Sequence, residues 1–275
     1  MNWQDKGALS GIAYRASGHP EARPVILIHG LLANADDWES TASALVTAGW
    51  RTLAPDCPGH GDSSAPREPN AYDLVRVADL LHGLAVALGC APAVIVGNSM
   101  GGAIAQEYAI RYSRDVSALV LVDSAGDMRR QIQRPEGHEE FVAKEFKLAL
   151  EKGMEAVWDL HQQVRGWMDA SWAAPEVQAR MKARICRTSP YGYLYADRAL
   201  GNRRKTLADL ARLSVRTLVI CCEHESSLLK EVAEDLATTI PNASFEIIPN
   251  AWHQPHLENP AGFNDVLLRF LGSLK

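Results

Sequence analysis

Three features are missing from this sequence of 275 residues, and each absence excludes a class of protein. There is no basic excess, since 33 Asp and Glu outnumber 28 Lys and Arg, so charge does not favour binding to nucleic acid or to an anionic membrane. No apolar run approaches transmembrane length, and the first ten residues hold no apolar signal segment. The five cysteines fit no zinc-binding spacing. We therefore expect a cytoplasmic protein with reduced thiols, no metal, no membrane partner and no nucleic-acid partner.

The sequence does contain an alternation of apolar strands and amphipathic helices. Hydrophobic residues make up 47% of the chain and charged residues 22%, which is ordinary for a globular protein of one large domain. Apolar runs at residues 24–28, 118–122 and 215–222 predict buried strands, and helical patterns lie between them. This alternation predicts an α/β fold with a mostly parallel, doubly wound sheet that helices cover on both faces.

The alternation is interrupted once. Residues 127–205 are richer in charged and aromatic side chains and show helical periodicity without buried strands. Because the strand–helix series then resumes, we predict a helical cap at residues 127–205, inserted between a first core part at residues 1–126 and a second core part at residues 206–275. An ordinary run of surface helices is the alternative interpretation.

Three local predictions concern the chain outside this cap. Residues 8–16 are expected to form one short edge strand. Asp36 or Asp37 is expected to cap a helix that ends near Ala48. Pro260 is expected to open a C-terminal helix, because proline is favoured in a first helical turn.

One stretch carries the strongest functional signal. Residues 93–96 form an apolar run rich in β-branched side chains, residues 97–102 read Gly-Asn-Ser-Met-Gly-Gly, and residues 103–112 follow with helical periodicity. Strand, tight turn with a central serine, then helix is the context in which Gly-x-Ser-x-Gly forms a nucleophile elbow. Such a turn strains the backbone of Ser99 and presents its hydroxyl near a helix N-terminus, which favours a developing anion. A glycine-rich turn without chemistry is the alternative.

A serine hydroxyl becomes an effective nucleophile when a histidine takes its proton and an acid orients that histidine. Where such an elbow is used, the acid and then the base follow the nucleophile along the chain. His253, in the loop after the last predicted strand, is the expected base, and His256 is its rival. The acid has two candidates: Glu225, in the loop after the penultimate strand, is favoured, and Asp123, at the end of an earlier strand, is the alternative.

The anion that forms during acyl transfer needs backbone N–H donors. Met100 directly follows the nucleophile and supplies one candidate. Leu31, which follows His29 and Gly30 at the end of another predicted strand, supplies the second, unless it is a plain apolar loop residue. His29 and His60 lie in turns near the sheet edge, and we expect them to shape the site rather than to act as bases.

In this order, these pieces resemble the α/β-hydrolase-fold superfamily over essentially the whole chain. The matching pieces are His29-Gly30, the loop at residues 56–63, the elbow at residues 97–102, and Trp252-His253 with residues 257–260. The resemblance implies hydrolysis through an acyl-enzyme at Ser99 with His253 and an acid, without a metal or an organic cofactor. Haloalkane dehalogenases and epoxide hydrolases share the fold but use aspartate as the nucleophile, so the serine argues against both activities.

Two narrower resemblances lie within that superfamily. The elbow resembles that of the meta-cleavage-product C–C hydrolases, although their longer glycine-rich oxyanion loop is missing, and the general pattern is similar to 3-oxoadipate enol-lactonase. Two positions depart from the common pattern. The acid loop reads Cys222-Glu223-His224-Glu225 instead of Gly-x-x-Asp, and Trp252 stands where glycine commonly precedes the catalytic histidine.

The sequence therefore predicts a hydrolase of a small ester, lactone or related acyl compound, with that small molecule as its partner. One alternative is a C–C bond hydrolase of a vinylogous diketone, in which Ser99 and His253 remain central. The other is a ligand receptor that keeps the fold with slow or no turnover. The cap is expected to select the substrate, and its candidate wall residues are Trp158, Trp167, Met168, Trp172, Tyr191 and Tyr193.

Overall fold

The computed structural model describes residues 3–124, 137–164 and 175–274, and its centre is one eight-stranded sheet. The strands in chain order are β1 Asp5–Leu9, β2 Ile12–Ser17, β3 Pro24–Ile28, β4 Arg51–Pro55, β5 Ala93–Asn98, β6 Val116–Val122, β7 Thr217–Cys222 and β8 Ala243–Ile248. Their order in space is β1-β2-β4-β3-β5-β6-β7-β8. The pairs β1/β2 and β2/β4 are antiparallel and all other pairs are parallel, so the predicted fold class is confirmed.

Helices cover both faces of this sheet. In chain order they are α1 Glu39–Thr47, α2 Leu74–Ala87, α3 Met100–Arg111, α4 His138–Lys152, α5 Met154–Val164, α6 Pro175–Cys186, α7 Pro190–Gly201, α8 Leu207–Leu210, α9 Ser227–Thr239, α10 Pro255–Glu258 and α11 Pro260–Gly272. None of the described helices combines the length and the apolar character that crossing a membrane requires.

The two helical layers are separated by the alternation of side chains along the strands. In β5, Ala93 and Ile95 pack into the core that contains α2, α3 and α9, whereas Val94 and Val96 pack into the core that contains α1 and α11. Successive side chains of a strand point to opposite faces, so both faces of a central strand are apolar when both are covered. This explains why the central strands read as unbroken apolar runs.

Two local predictions were wrong. Residues 8–16 do not form one strand, because β1 and β2 meet at a tight hairpin turn in which Ser10 and Gly11 have φ values of 52° and 80°. Neither Asp36 nor Asp37 caps the predicted helix, because both lie inside a 3-10 turn, Ala35–Trp38, that precedes α1. Asn34 caps this turn, and its side chain accepts from the Asp36 N–H at 3.0 Å. Pro260 opens α11 as predicted.

Between β6 and β7, residues 137–164 and 175–205 form the helices α4 to α7 and contain no strand. In this segment α4 packs on α5 and α7, and α5 packs on α6. The predicted start of the cap at residue 127 lies outside the described residues. The domain boundaries at residues 126/127 and 205/206 therefore stay predictions.

All five cysteines are free thiols. Cys221 and Cys222 lie in β7 and are buried as small side chains, and burial raises the pKa of the Cys221 thiol to about 12. Cys57 and Cys90 are buried as well, whereas Cys186, the last residue of α6, is exposed.

Candidate active site

Ser99 lies at the junction between β5 and α3 in a backbone conformation that few residues other than glycine adopt. Its φ is 53° and its ψ is −114°. Neighbouring glycines make this turn compact: a Cβ on Gly97 would collide with the Gly101 carbonyl, and a Cβ on Gly101 would collide with the Ile28 carbonyl. The close packing of β3, β5 and α3 therefore holds the serine at a strained, projecting corner.

The first candidate N–H donor follows directly from this geometry. Because α3 begins at Met100, the Met100 N–H belongs to the first helical turn and has no acceptor within the helix. The loop after β3 lies beside the same corner, since a Cβ on Gly30 would be 3.4 Å from the Ser99 Cβ. Both loops that carry the predicted donors thus meet at Ser99.

His29 fixes the orientation of the second candidate donor. Its Nε2 accepts from the Cys57 N–H at 2.8 Å, so the ring proton is on Nδ1 and is donated to the Gly30 carbonyl at 2.7 Å. In a trans peptide the N–H points opposite to the carbonyl, so this bond also sets the direction of the Leu31 N–H. Burial lowers the pKa of His29 to about 4, which keeps the ring neutral. His29 therefore shapes the loop.

His253 and Glu225 are in direct contact. The His253 Nδ1 lies 2.5 Å from the Glu225 Oε2. The other carboxylate oxygen of Glu225 accepts from the Ser226 N–H at 2.7 Å, and the His253 carbonyl accepts from the Asn98 side-chain amide at 3.0 Å. Since Asn98 directly precedes Ser99, the loop that carries the histidine is attached to the elbow itself.

The electrostatics of this pair suit a general base. Desolvation opposes charge on the His253 ring, but the hydrogen bond to Glu225 and the charges of Glu225, Asp123 and Glu258 outweigh it, so the pKa of His253 is raised. Desolvation also acts against the Glu225 carboxylate, and the contact with His253 overcomes it and lowers the pKa of Glu225. A carboxylate that holds the Nδ1 proton leaves Nε2 as the basic nitrogen.

Asp123, the alternative acid, lies at the same sheet edge but has different partners. Its two oxygens accept from the Cys222 N–H at 2.9 Å and from the Cys222 thiol at 2.8 Å. Burial raises the pKa of Asp123 to about 6. One ligand atom each of Asp123, Glu225 and His253 lie within 4.8 Å of one another, and among the described residues this is the group whose spacing would suit a cation. Both carboxylates thus face the histidine, and Glu225 makes the hydrogen bond.

His256, the rival base, is packed away from both carboxylates. Its ring stacks on Trp38 with centroids 4.0 Å apart and meets the edge of Phe263, in the layer of α1 and α11. Burial lowers the pKa of His256 to about 3, so the ring stays neutral. Within the described part of the chain it has no hydrogen bond to either candidate acid.

Sequence reasoning missed the residues that hold the histidine loop. Asn98 is one of them, and Glu258 is the other: its Oε2 accepts from the N–H groups of Trp252 at 2.6 Å and of His253 at 3.1 Å. The sequence marks Glu258 only as a carboxylate five residues after His253 and two residues before Pro260.

The helices between β6 and β7 cover the loop that carries Leu31. Leu31 and Leu32 pack against a cluster that includes Trp158 and Tyr193, two of the predicted wall residues. A third, Tyr191, packs against Phe146. The remaining predicted wall residues lie outside the described residues: Trp167, Met168 and Trp172.

Comparison with known proteins finds sequence and structural matches over most of the chain. The family model described as alpha/beta hydrolase fold matches residues 23–260. The chain is 24% identical over 274 residues to a putative 2-succinyl-6-hydroxy-2,4-cyclohexadiene-1-carboxylate synthase of Bacillus subtilis (strain 168), covering 96% of both chains. It is 27% identical over 276 residues to a 2-hydroxy-6-oxo-6-phenylhexa-2,4-dienoate hydrolase of Burkholderia cepacia, covering 98% of this chain and 94% of the relative. The enol-lactonase structure from Burkholderia xenovorans LB400 matches with a TM-score of 0.82 at 25% identity, covering 98% of this chain and 100% of that one.

Proposed function

The chain is an enzyme of the α/β-hydrolase-fold family, and from this membership we propose that it is a serine hydrolase of a small ester, lactone or related acyl compound. In this proposal Ser99 is the nucleophile, His253 the base and Glu225 the acid, and the N–H groups of Leu31 and Met100 bind the oxyanion. The observation that carries the proposal is the 2.5 Å contact between Glu225 Oε2 and His253 Nδ1, beside an elbow that holds Ser99 at a φ of 53°.

The reaction needs only groups of this chain, the substrate and water. The Nε2 of neutral His253 takes the Ser99 proton as the serine oxygen attacks the substrate carbonyl carbon, and the two N–H groups stabilise the oxyanion. The alcohol or enol leaves with the proton from His253. A water molecule, deprotonated by the same nitrogen, then attacks the acyl-enzyme; the acid is released, and His253 returns the proton to the departing Ser99 oxygen. The contact with His253 lowers the pKa of Glu225, which favours the ionised carboxylate as the partner of a protonated His253.

Similarity to an enol-lactonase at 25% identity supports a lactone or ester as the substrate class. C–C bond hydrolysis of a vinylogous diketone is the second candidate, and the 27% identity to a dienoate hydrolase supports it. Both candidates use Ser99 and His253, so they differ in the substrate and not in the nucleophile.

The first experiment compares steady-state hydrolysis of a short-chain p-nitrophenyl ester by the wild type and by Ser99→Ala. We expect repeated turnover by the wild type and a loss of at least about a thousandfold in the variant. Equal rates in the two proteins would show that Ser99 is not the nucleophile. Ligand binding without multiple turnover would instead support a receptor.

The second experiment separates the two substrate classes. Lactones and vinylogous diketones are offered to the same two proteins at matched concentrations, and the products are followed by absorbance and mass spectrometry. Faster Ser99-dependent turnover of the lactones supports the primary proposal, whereas faster turnover of the diketones favours the C–C hydrolase.

A further inference from the structure

A buried arginine connects the helices between β6 and β7 to two loops of the candidate site. Arg184 lies in the last turn of α6, and its side chain is 8% exposed. Its Nη1 donates to the Asp37 Oδ2 at 3.0 Å and to the Gln254 Oε1 at 2.6 Å. Asp37 lies in the 3-10 turn shortly after the loop of Leu31, and Gln254 directly follows His253. One guanidinium therefore contacts both loops.

Gln254 is placed to transmit this contact to the histidine. It is the N-cap residue of α10, and its carbonyl accepts from the N–H groups of Leu257 at 2.8 Å and Glu258 at 2.9 Å. The carboxylate of Glu258 in turn accepts from the His253 N–H at 3.1 Å. The position of Gln254 thus affects both ends of the turn at residues 253–258.

The charge of Arg184 makes this connection sensitive to its partners. A buried charge is tolerated when it is paired and hydrogen-bonded, and removal of one partner leaves the other uncompensated. Among the described residues, Asp37 and Gln254 are the hydrogen-bond partners of Arg184. If α6 moved off the core, the loop of Asp37 and the loop of His253 would lose their common contact together.

We propose that Arg184 is a positioning residue that fixes the loop of His253 relative to the loop of Leu31. Docking of α6 on the core would then align His253 with Ser99. This inference rests on the proposed serine-hydrolase function. The alignment of His253 can nevertheless be measured without turnover.

Arg187 provides a matched control in the same junction. Its guanidinium donates to the Asp36 Oδ2 at 2.7 Å and to the Asp62 Oδ1 at 2.8 Å. Both acids also pair with Arg15, and neither lies in the histidine loop. Loss of Arg187 therefore removes ion pairs between the helices and the core without touching a neighbour of His253.

The sign of the change in the His253 pKa separates two roles of Arg184. The carboxylates that face His253 are Glu225 from the loop after β7, Asp123 from the loop after β6 and Glu258 from α10, and all three raise its pKa. The ring of His256, also from α10, interacts with His253 but stays neutral. If Arg184 acted only through its field, then Arg184→Gln would remove a positive charge and raise the pKa of His253 further. If Arg184 positions the loop, the hydrogen bond to Glu225 loosens and the pKa of His253 falls.

The experiment follows the His253 ring by NMR titration in the wild type, Arg184→Gln and Arg187→Gln, and measures kcat and KM of each protein. We expect Arg184→Gln to lower the pKa of His253 and to reduce kcat by about ten- to a hundredfold, with a smaller change in KM. We expect Arg187→Gln to leave the pKa unchanged and kcat within about twofold. A rise of the pKa in Arg184→Gln, or equal effects of the two variants, would overturn the proposal.

A second set of variants removes the ambiguity of a folding defect. Arg184→Gln combined with Asp37→Asn eliminates the unpaired carboxylate, so it should recover thermal stability while kcat stays low; recovery of kcat as well would show a merely structural role. Gln254→Ala should reproduce the loss of kcat and the lowered pKa, and the double variant with Arg184→Gln should be no worse than either single one. A wild-type pKa and kcat in Gln254→Ala would contradict the proposal.

These readouts keep the two proposals apart. If the wild type turned over none of the substrates and Ser99→Ala changed nothing, the serine-hydrolase function would fail. The NMR titration of His253 would still test whether Arg184 positions that ring.

Discussion

Two sets of buried polar side chains, one at strand ends of the sheet core and one in the helices between β6 and β7, are held in different ways. At the strand ends, the His29 ring bonds to the Gly30 carbonyl of its own loop, and the Asn98 side chain bonds to the His253 carbonyl of another loop. In the helices, the buried carboxylate of Glu145 bonds to two other side chains, His161 and the Tyr193 hydroxyl. Loss of a side chain that bonds to the backbone releases a loop of the candidate site, whereas loss of Glu145 leaves side chains on other helices without a shared partner. We therefore expect substitutions at these strand ends to act on catalysis and substitutions in the Glu145 cluster to act on stability.

The strongest change is expected in the core, at the contact between Glu225 and His253. Glu225→Gln keeps the size of the side chain but cannot stabilise a protonated His253, so kcat/KM should fall by about 10³-fold or more. Asp123→Asn is the matched control and should stay within about tenfold, because Asp123 bonds to Cys222. Steady-state kinetics measure kcat/KM of both variants. A larger loss in Asp123→Asn than in Glu225→Gln would identify Asp123 as the acid.

The pH dependence tests the same contact. His253 acts as a base only when neutral and its pKa is raised, so kcat/KM of the wild type should fall as the pH drops through a midpoint above 6.5. Glu225→Gln removes the hydrogen bond that raises this pKa, and the residual activity should persist to lower pH. An identical midpoint in both proteins would argue against this role of Glu225.

A smaller loss is expected when the orientation of the Leu31 N–H is released. His29→Gln can keep an acceptor for the Cys57 N–H but loses the donor to the Gly30 carbonyl, so kcat should fall by about a hundredfold. His29→Asn can donate near the position of Nδ1 and should lose about tenfold or less. Single-turnover kinetics would measure both, and the reverse ranking would contradict the orientation that His29 is inferred to impose.

In the helical segment, the expected effect of Glu145→Gln is on folding. The substitution weakens the hydrogen bonds of a charged group to His161 and Tyr193, so the free energy of unfolding should fall by roughly 1.5–3 kcal/mol. We expect kcat to stay within about threefold. Urea unfolding followed by tryptophan fluorescence measures the first quantity. A tenfold loss of kcat at unchanged stability would erase the contrast with the core.

The smallest effect is expected from Tyr193→Phe, which removes one hydroxyl at 2.7 Å from Glu145. The free energy of unfolding should fall by about 1 kcal/mol. Tyr191→Phe is the control and should change it by less, since the aromatic packing of Tyr191 on Phe146 is retained. Thermal unfolding of both variants checks the difference, and equal shifts would contradict it.

The parts of this molecule that the sequence predicts are those in which a few consecutive residues determine the structure. The buried strands Pro24–Ile28 and Ala93–Asn98 follow from apolar runs, and the elbow follows from glycines around Ser99. The proximity of Glu225 and His253 also follows from a simple rule, because the loops after adjacent parallel strands, here β7 and β8, meet at the same sheet edge.

The remaining details depend on contacts between distant parts of the chain. Glu225 and Asp123 follow neighbouring parallel strands, so strand order alone cannot predict that Glu225 bonds to His253 and Asp123 to Cys222. The contact of Asn98 with His253 joins positions 155 residues apart. That of Arg184 with Gln254 crosses 70 residues, and no periodicity in the sequence signals either contact.

The exposure of Cys186 has a practical consequence. It ends α6, two residues after Arg184, while Cys57, Cys90, Cys221 and Cys222 are buried. A maleimide dye added to the native protein should therefore attach at a single position, and mildly alkaline buffer would help, because partial burial raises the pKa of this thiol. The unaltered sequence thus offers a fluorescent reporter on the helix that carries Arg184, with which its motion during substrate binding could be followed in real time.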